Sequence, residues 1–205
     1  MFTNNDRPEE EEEGQEEAHI MGPTGEKEPP LMGLVGDITE EAAQALHMSL
    51  ISCNGGKILA AKEDLEDTVD IEFFISSGGG GVNDMFAVYD LMRIVKTNRD
   101  IATFGYGRVY SAAVLLLAAG SPGKRHMAKN TRMMIHHCSS NVGGSHPEIR
   151  TNFHELKKVE DMMVEALAEN SALSVGELYN IMSRNTDEYF SAEEALEMGI
   201  VDKII

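Results

Sequence analysis

The segment FGYGRVYSAAVLLLAAG, Phe104 to Gly120, limits what this chain can fold into. After Ser111 come nine residues, Ala112 to Gly120, without one polar side chain. A helix that is apolar all round has to be buried. Gly105 and Gly107 place a glycine-rich turn ahead of it, with Ser111 at the helix mouth. A hydroxyl there lies in the positive field of unpaired backbone N–H groups. Two readings stay open from the residues alone. Ser111 caps a core helix, or it is a nucleophile beside a place where an attacked carbonyl can rest its negative charge.

The flanking segments alternate between two periods. LMGLVG at 31–36 reads as a short buried strand. Thr39 is a plausible N-cap for a helix through AAQALHMSLI, which Asn54 to Gly56 ends. Residues 57–69 read as an exposed charged loop, and VDIEFFI at 69–75 as a strand rich in β-branched and aromatic residues. SSGGGG at 76–81 is a glycine turn before a helix at 82–95. A strand at 101–106, the helix at 111–119 and a strand at 132–135 ending at His136 and His137 follow. The long helical pattern at 148–173 has apolar positions at Ile149, Phe153, Leu156, Val159, Met163, Ala166 and Leu167. A shorter helix at 174–184 precedes SAEEALEMGIVDKII. Alternating strands and helices predict an α/β domain with largely parallel strands.

Charge excludes some partners. The formal charge of −18 and the absence of a basic stripe argue against nucleic acid and anionic membrane. Residues 1–30 hold ten acids against Arg7 and Lys27, a net of −8, together with four prolines. Such a segment buries too little apolar surface to order itself, so it is expected to be a disordered tail ahead of a domain at 31–205. The N-terminus shows no secretory or transit pattern, and no apolar run has the length of a membrane span. Two cysteines, Cys53 and Cys138, make no disulfide framework, and a cytoplasmic setting is expected.

Several motifs in one order then converge on a family. Ser76-Ser77-Gly78-Gly79-Gly80 resembles the NSPGG turn of the Clp protease proteolytic subunit, ClpP. Ala87-Val88-Tyr89-Asp90 resembles its helix ending in YD, and Gly107 to Gly120 aligns without gaps on GQAASMGAFLLAAG. Gly123-Lys124-Arg125 with Met134 to Cys138 is similar to GKR…MIHQP, and Thr186 to Ile204 to its closing RDxFxSAEEAxEYGLVDKI. The resemblance covers roughly residues 33–205 and implies a ClpP/crotonase-like fold with a long handle helix.

It also implies a serine-type endopeptidase acting on unfolded proteins. Ser111 becomes the nucleophile, His136 the base 25 positions on, and Asp187 the acid that fixes the imidazole. The backbone N–H groups of Gly80 and Ala112 become the oxyanion hole. Gly79, Gly81, Cys138, Ser139 and Ser140 become the edges between which an extended peptide pairs. His137, next along the strand, falls on the opposite face. His136, His137 and Cys138 in a row are a poor metal motif, and neither a metal nor an organic cofactor is implied. Family members form seven-membered rings stacked in pairs and are fed by an AAA+ ATPase. This chain has no GxxxxGK[ST] motif, so ATP belongs to the partner.

The chain departs from the family at several places. Gly78 replaces a proline, which should loosen the oxyanion segment, and Val109-Tyr110 replaces a small pair before the serine. Ala113 replaces a glycine, and Thr186 an arginine that pairs across the ring interface. The strand before Ser111 is two residues longer, and the acidic head aligns with no family N-terminus. These changes motivate an alternative, a catalytically silent subunit that co-assembles with an active paralogue. A crotonase-type acyl-CoA enzyme shares the general fold but has no need of Ser111 and His136 at this spacing.

Overall fold

The computed structural model describes residues 29–56, 58, 69–139, 143–184 and 186–205. The acidic head through residue 28, most of the charged segment 57–69, and Ser140 lie outside the described residues. In chain order the elements are β1 (Leu31–Val35), α1 (Glu40–Cys53), β2 (Ile71–Ser77), α2 (Val82–Val95), β3 (Ile101–Tyr110), α3 (Ala112–Ala118), β4 (Arg125–Met127), β5 (Arg132–Ile135), α4 (His146–Glu169), α5 (Val175–Met182), β6 (Glu188–Phe190), α6 (Ala192–Glu197) and β7 (Lys203–Ile204).

β1, β2, β3, β4 and β7 stand side by side in that order, each neighbouring pair parallel. Parallel neighbours cannot be joined by a tight hairpin, and the intervening helices supply the crossovers. β2 shows the strand period plainly. Ile71, Phe73, Ile75 and Ser77 are buried while the residues between them are partly exposed. Helix α1 starts where the Thr39 hydroxyl accepts the Ala42 N–H at 3.2 Å, and it buries Ala42, Ala43, Leu46 and Leu50.

Helix α3 is buried along its whole length. Its apolar side chains, Val114 to Leu117 among them, contribute roughly 1.5–3 kcal/mol each relative to exposure. That burial fixes the helix N-terminus, and with it Ser111, at the C-terminal end of β3.

The expected turn at Gly105 and Gly107 is absent, and β3 runs on to Tyr110. Ile75 of β2 lies opposite Gly105 but Ser77 lies opposite Val109, so β3 carries two extra residues as a bulge. Gly107 takes up the bend with φ of 67°, a conformation that favours glycine. The bulge also changes partners. Thr103 to Gly105 pair with β4, whereas Arg108 to Tyr110 pair with β5. β6 then adds antiparallel to β5. The short strands β4, β6 and β7 were not expected from the sequence, because two or three residues carry no period.

Helix α4 opens with a capping box in which Ser145 and Glu148 satisfy each other's backbone. Its first half lies on the surface, and its buried residues, Val164, Ala166 and Leu167, come near the C-terminal end.

Candidate active site

Ser111 is the one described non-glycine residue with positive φ, at φ 56° and ψ −127°. Such a conformation costs about 1–3 kcal/mol and persists where the surroundings over-determine it. Here the Ser111 N–H donates to Met134 O at 2.8 Å, and the Ser111 carbonyl accepts the Val114 N–H at 3.0 Å. The buried α3 helix outweighs the strain. Ser111 occupies the cap position, yet its hydroxyl makes no capping bond. Instead Oγ lies 2.7 Å from Nε2 of His136.

His136 follows the last residue of β5, and its Nδ1 lies 3.6 Å from Oδ1 of Asp187. Asp187 sits just ahead of β6, which pairs with β5, so the antiparallel ladder sets acid and imidazole opposite each other. Asp187 is half exposed, at 51% of its side-chain surface. Its other carboxylate oxygen, Oδ2, accepts the Tyr189 hydroxyl at 3.4 Å.

The glycine turn approaches Ser111 from the β2 side. Ile38 brackets it, donating its N–H to Gly79 O at 2.7 Å and accepting the Gly81 N–H at 2.8 Å. A trans peptide points its C=O and N–H in opposite directions, so the Gly80 N–H points away from Ile38. Side chains are excluded here. A Cβ on Gly80 would lie 2.3 Å from Ile38 O, and one on Gly79 2.7 Å from Ser111 Cβ. Ile38 and Ser77 hold the turn through Gly79 and Gly81. A Cβ at Gly78 would meet Asp37 Oδ1 at 3.1 Å.

Ser111, Gly80, Ala112 and His136 border a cavity of about 220 Å³. Its inner wall is apolar, built by Ile135, Met163, Val164, Leu167, Leu178 and Met182. Met163 and Leu167 belong to the apolar stripe legible in the sequence of α4. Leu178 and Met182 of α5 carried no signal linking them to Ser111.

The expected substrate edges divide. Cys138 and Ser139 line the cavity, and Ser140 lies outside the described residues. Gly79 and Gly81 do not offer free backbone edges. The Gly79 N–H donates to Ser77 Oγ at 3.1 Å, and the Gly81 carbonyl accepts the Met85 N–H at 2.9 Å. Together with the Ile38 bonds, both residues' amide groups are committed to the fold, and the glycines that line the cavity are Gly78 and Gly80.

His137 corrects another expectation. β5 stops at Ile135, strand alternation ends there, and His136 and His137 both line the cavity. His137 Nδ1 pairs with Glu160 Oε1 of α4 at 3.1 Å, and neither residue's partner was legible in the sequence. Burial, and then the Glu160 carboxylate, push the Cys138 thiol up, so it stays protonated near neutrality and is a poor nucleophile.

An α/β domain that gathers a serine, a histidine and an acid at the rim of an apolar cavity has the layout of a hydrolase. Residues 34–205 match the family profile of the Clp protease. The chain is 32% identical over 148 residues to "ATP-dependent Clp protease proteolytic subunit 2" of Bifidobacterium longum, covering 72% of this chain and 69% of that one. To the protein of the same description from Thermobifida fusca it is 34% identical over 151 residues, covering 74% and 71%. Proteolytic subunit 3 of Frankia casuarinae is 37% identical over 136 residues, covering 66% and 62%. The chain belongs to the Clp protease family.

Proposed function

We propose that this chain is a self-compartmentalising serine peptidase that cleaves unfolded polypeptides delivered by an AAA+ ATPase partner. The supporting observation is the strained Ser111, whose Oγ sits 2.7 Å from His136 Nε2, with Asp187 beyond the other ring nitrogen. An imidazole protonated on Nδ1 and facing Asp187 leaves Nε2 free to accept the serine proton. Ser111 Oγ attacks the scissile carbonyl carbon as its proton passes to His136. The carbonyl oxygen takes up negative charge, and the N–H groups of Gly80 and Ala112 donate hydrogen bonds to it. One such donor is worth about 3 kcal/mol of barrier. Collapse breaks the C–N bond, His136 returns the proton to the leaving amine, and water then hydrolyses the acyl-serine by the same route.

The apolar cavity beside Ser111 suits an apolar side chain next to the scissile bond. In this reading the chain works in the cytoplasm as rings of seven copies, stacked in pairs or mixed with a paralogue. The partner, not this chain, uses ATP, and the steps above draw only on the chain's own groups.

Labelling by a fluorophosphonate probe, wild type against Ser111→Ala, tests the reading. The expected result is covalent modification of the wild type that disappears in the variant. An assembled, folded particle that takes no label would support the catalytically silent subunit instead.

A further inference from the structure

Tyr110 and Tyr189 form a row under the site. Tyr110 of β3 lies opposite Met134 of β5, which lies opposite Tyr189 of β6. The two rings meet edge to face over the central strand, with centroids 5.7 Å apart at an angle of 85°. Just past the last pair of that ladder, Ile135 with Glu188, His136 and Asp187 form the next row, with Nδ1 and Oδ1 3.6 Å apart. The two rows join where the Tyr189 hydroxyl donates to Asp187 Oδ2 at 3.4 Å.

The Asp187 carboxylate needs such support. It is half exposed and 3.6 Å from the imidazole, too far for a hydrogen bond to hold it there. Thr186 does not reach it, since its hydroxyl turns to Glu188 Oε1 at 3.3 Å. Glu188 also takes Arg184 at 3.3 Å. Among the described residues, His136 pairs with one Asp187 carboxylate oxygen and the Tyr189 hydroxyl donates to the other.

We propose that Tyr110 and Tyr189 are positioning residues for Asp187. The Tyr110 ring braces the Tyr189 ring, and the Tyr189 hydroxyl holds Oδ2 so that Oδ1 faces His136. The proposal rests on the reading of Ser111, His136 and Asp187 as the catalytic set. Partial burial and the nearby Asp187 carboxylate push the Tyr189 phenol up, which keeps it a donor through the neutral range. Among the described residues, the titratable groups on the neighbouring elements include the His137–Glu160 pair on the α4 side and the Arg184–Glu188 pair on the β6 side. All four stay unchanged in the test.

The test compares Tyr189→Phe, Tyr110→Phe and Tyr110→Ala in the assembled full chain, with Asp187→Asn marking complete loss of the acid. Diethyl pyrocarbonate acylates neutral imidazole, so acylation of the His136 peptide against pH, read by mass spectrometry, reports its ionisation without any turnover. Tyr189→Phe should carry the His136 acylation profile away from that of the wild type and towards that of Asp187→Asn. Fluorophosphonate labelling of Ser111 should slow by about three- to tenfold in the same variant. Tyr110→Ala should behave like Tyr189→Phe, and Tyr110→Phe like the wild type, because the ring and not the hydroxyl makes the contact. A Tyr189→Phe protein with the wild-type acylation curve would overturn the proposal, as would a Tyr110→Phe protein as impaired as Tyr110→Ala. If the wild type takes no fluorophosphonate at all, the catalytic reading fails, and the acylation curves still decide whether the tyrosine pair holds the acid.

Discussion

Ser111 carries two burdens in one residue, a hydroxyl aimed at His136 and a backbone that a side chain rarely adopts. The second is separable from the first. At φ 56° and ψ −127° glycine is free of the Cβ clash, so Ser111→Gly should relieve the strain while removing the nucleophile. The expected outcome is a protein with no labelling and a stability raised by about 1 kcal/mol, read from the urea midpoint against both wild type and Ser111→Ala. Equal midpoints for Gly and Ala would mean that the backbone is not strained at this position. Much at this scale was legible in the sequence. The resemblance of the segments around Ser111, His136 and the glycines ahead of α2 to one family pointed to one place. The partners of His137 were not legible, because strand alternation was carried past Ile135, where pairing had ended.

At the scale of elements, the apolar run of α3 and the β-branched and aromatic content of β2 are enough to predict a helix and a strand there, since each carries its burial in its own sequence. β3 was read too short for a different reason. Glycine at 105 and 107 signals a turn locally, but a bulge needs the same conformational freedom, and only the pairing with β2, β4 and β5 distinguishes the two. Cavity residues from α5 depend on how helices pack, which no single segment encodes. Helix α4 shows the same division along its own length. Val164 and Leu167 are buried, while Phe153 and Met162 are 62% and 50% exposed. Large exposed apolar side chains on one helix suit a contact between copies of the chain, which the proposed stacked-ring assembly would need. Phe153→Glu should therefore shift the particle to smaller species in sedimentation velocity while leaving circular dichroism unchanged. An unaltered sedimentation profile would remove Phe153 from any such contact.

Over the whole molecule, the last strand and the end of the handle are tied to the sheet through a single guanidinium. Arg125 of β4 donates from Nε and Nη2 to the two carboxylate oxygens of Asp202, at 2.8 and 2.6 Å, and from Nη1 to Asn170 O at 2.6 Å. Asp202 leads into β7, and Asn170 ends α4. The pair is largely shielded, with side-chain exposures of 12% and 23%, so solvent screens it less than a surface pair. The Arg125 guanidinium holds the Asp202 carboxyl below the usual carboxylate range. A depressed folded-state value means stability that is present above the unfolded value, about 4, and lost as pH falls through the folded one. Asp202→Asn keeps the shape but removes the charge, and should cost about 2 kcal/mol near pH 7. The same variant should approach the wild type in stability as the pH falls from about 4, the unfolded value, through the lower folded one, where Asp202 of the folded wild type takes up its proton as well. Urea midpoints for both proteins across that range check this. A deficit that stays constant down to the lowest pH would show that the substitution acts through packing or the Asn170 contact, and that the ion pair does not clamp the C-terminal strand to the core.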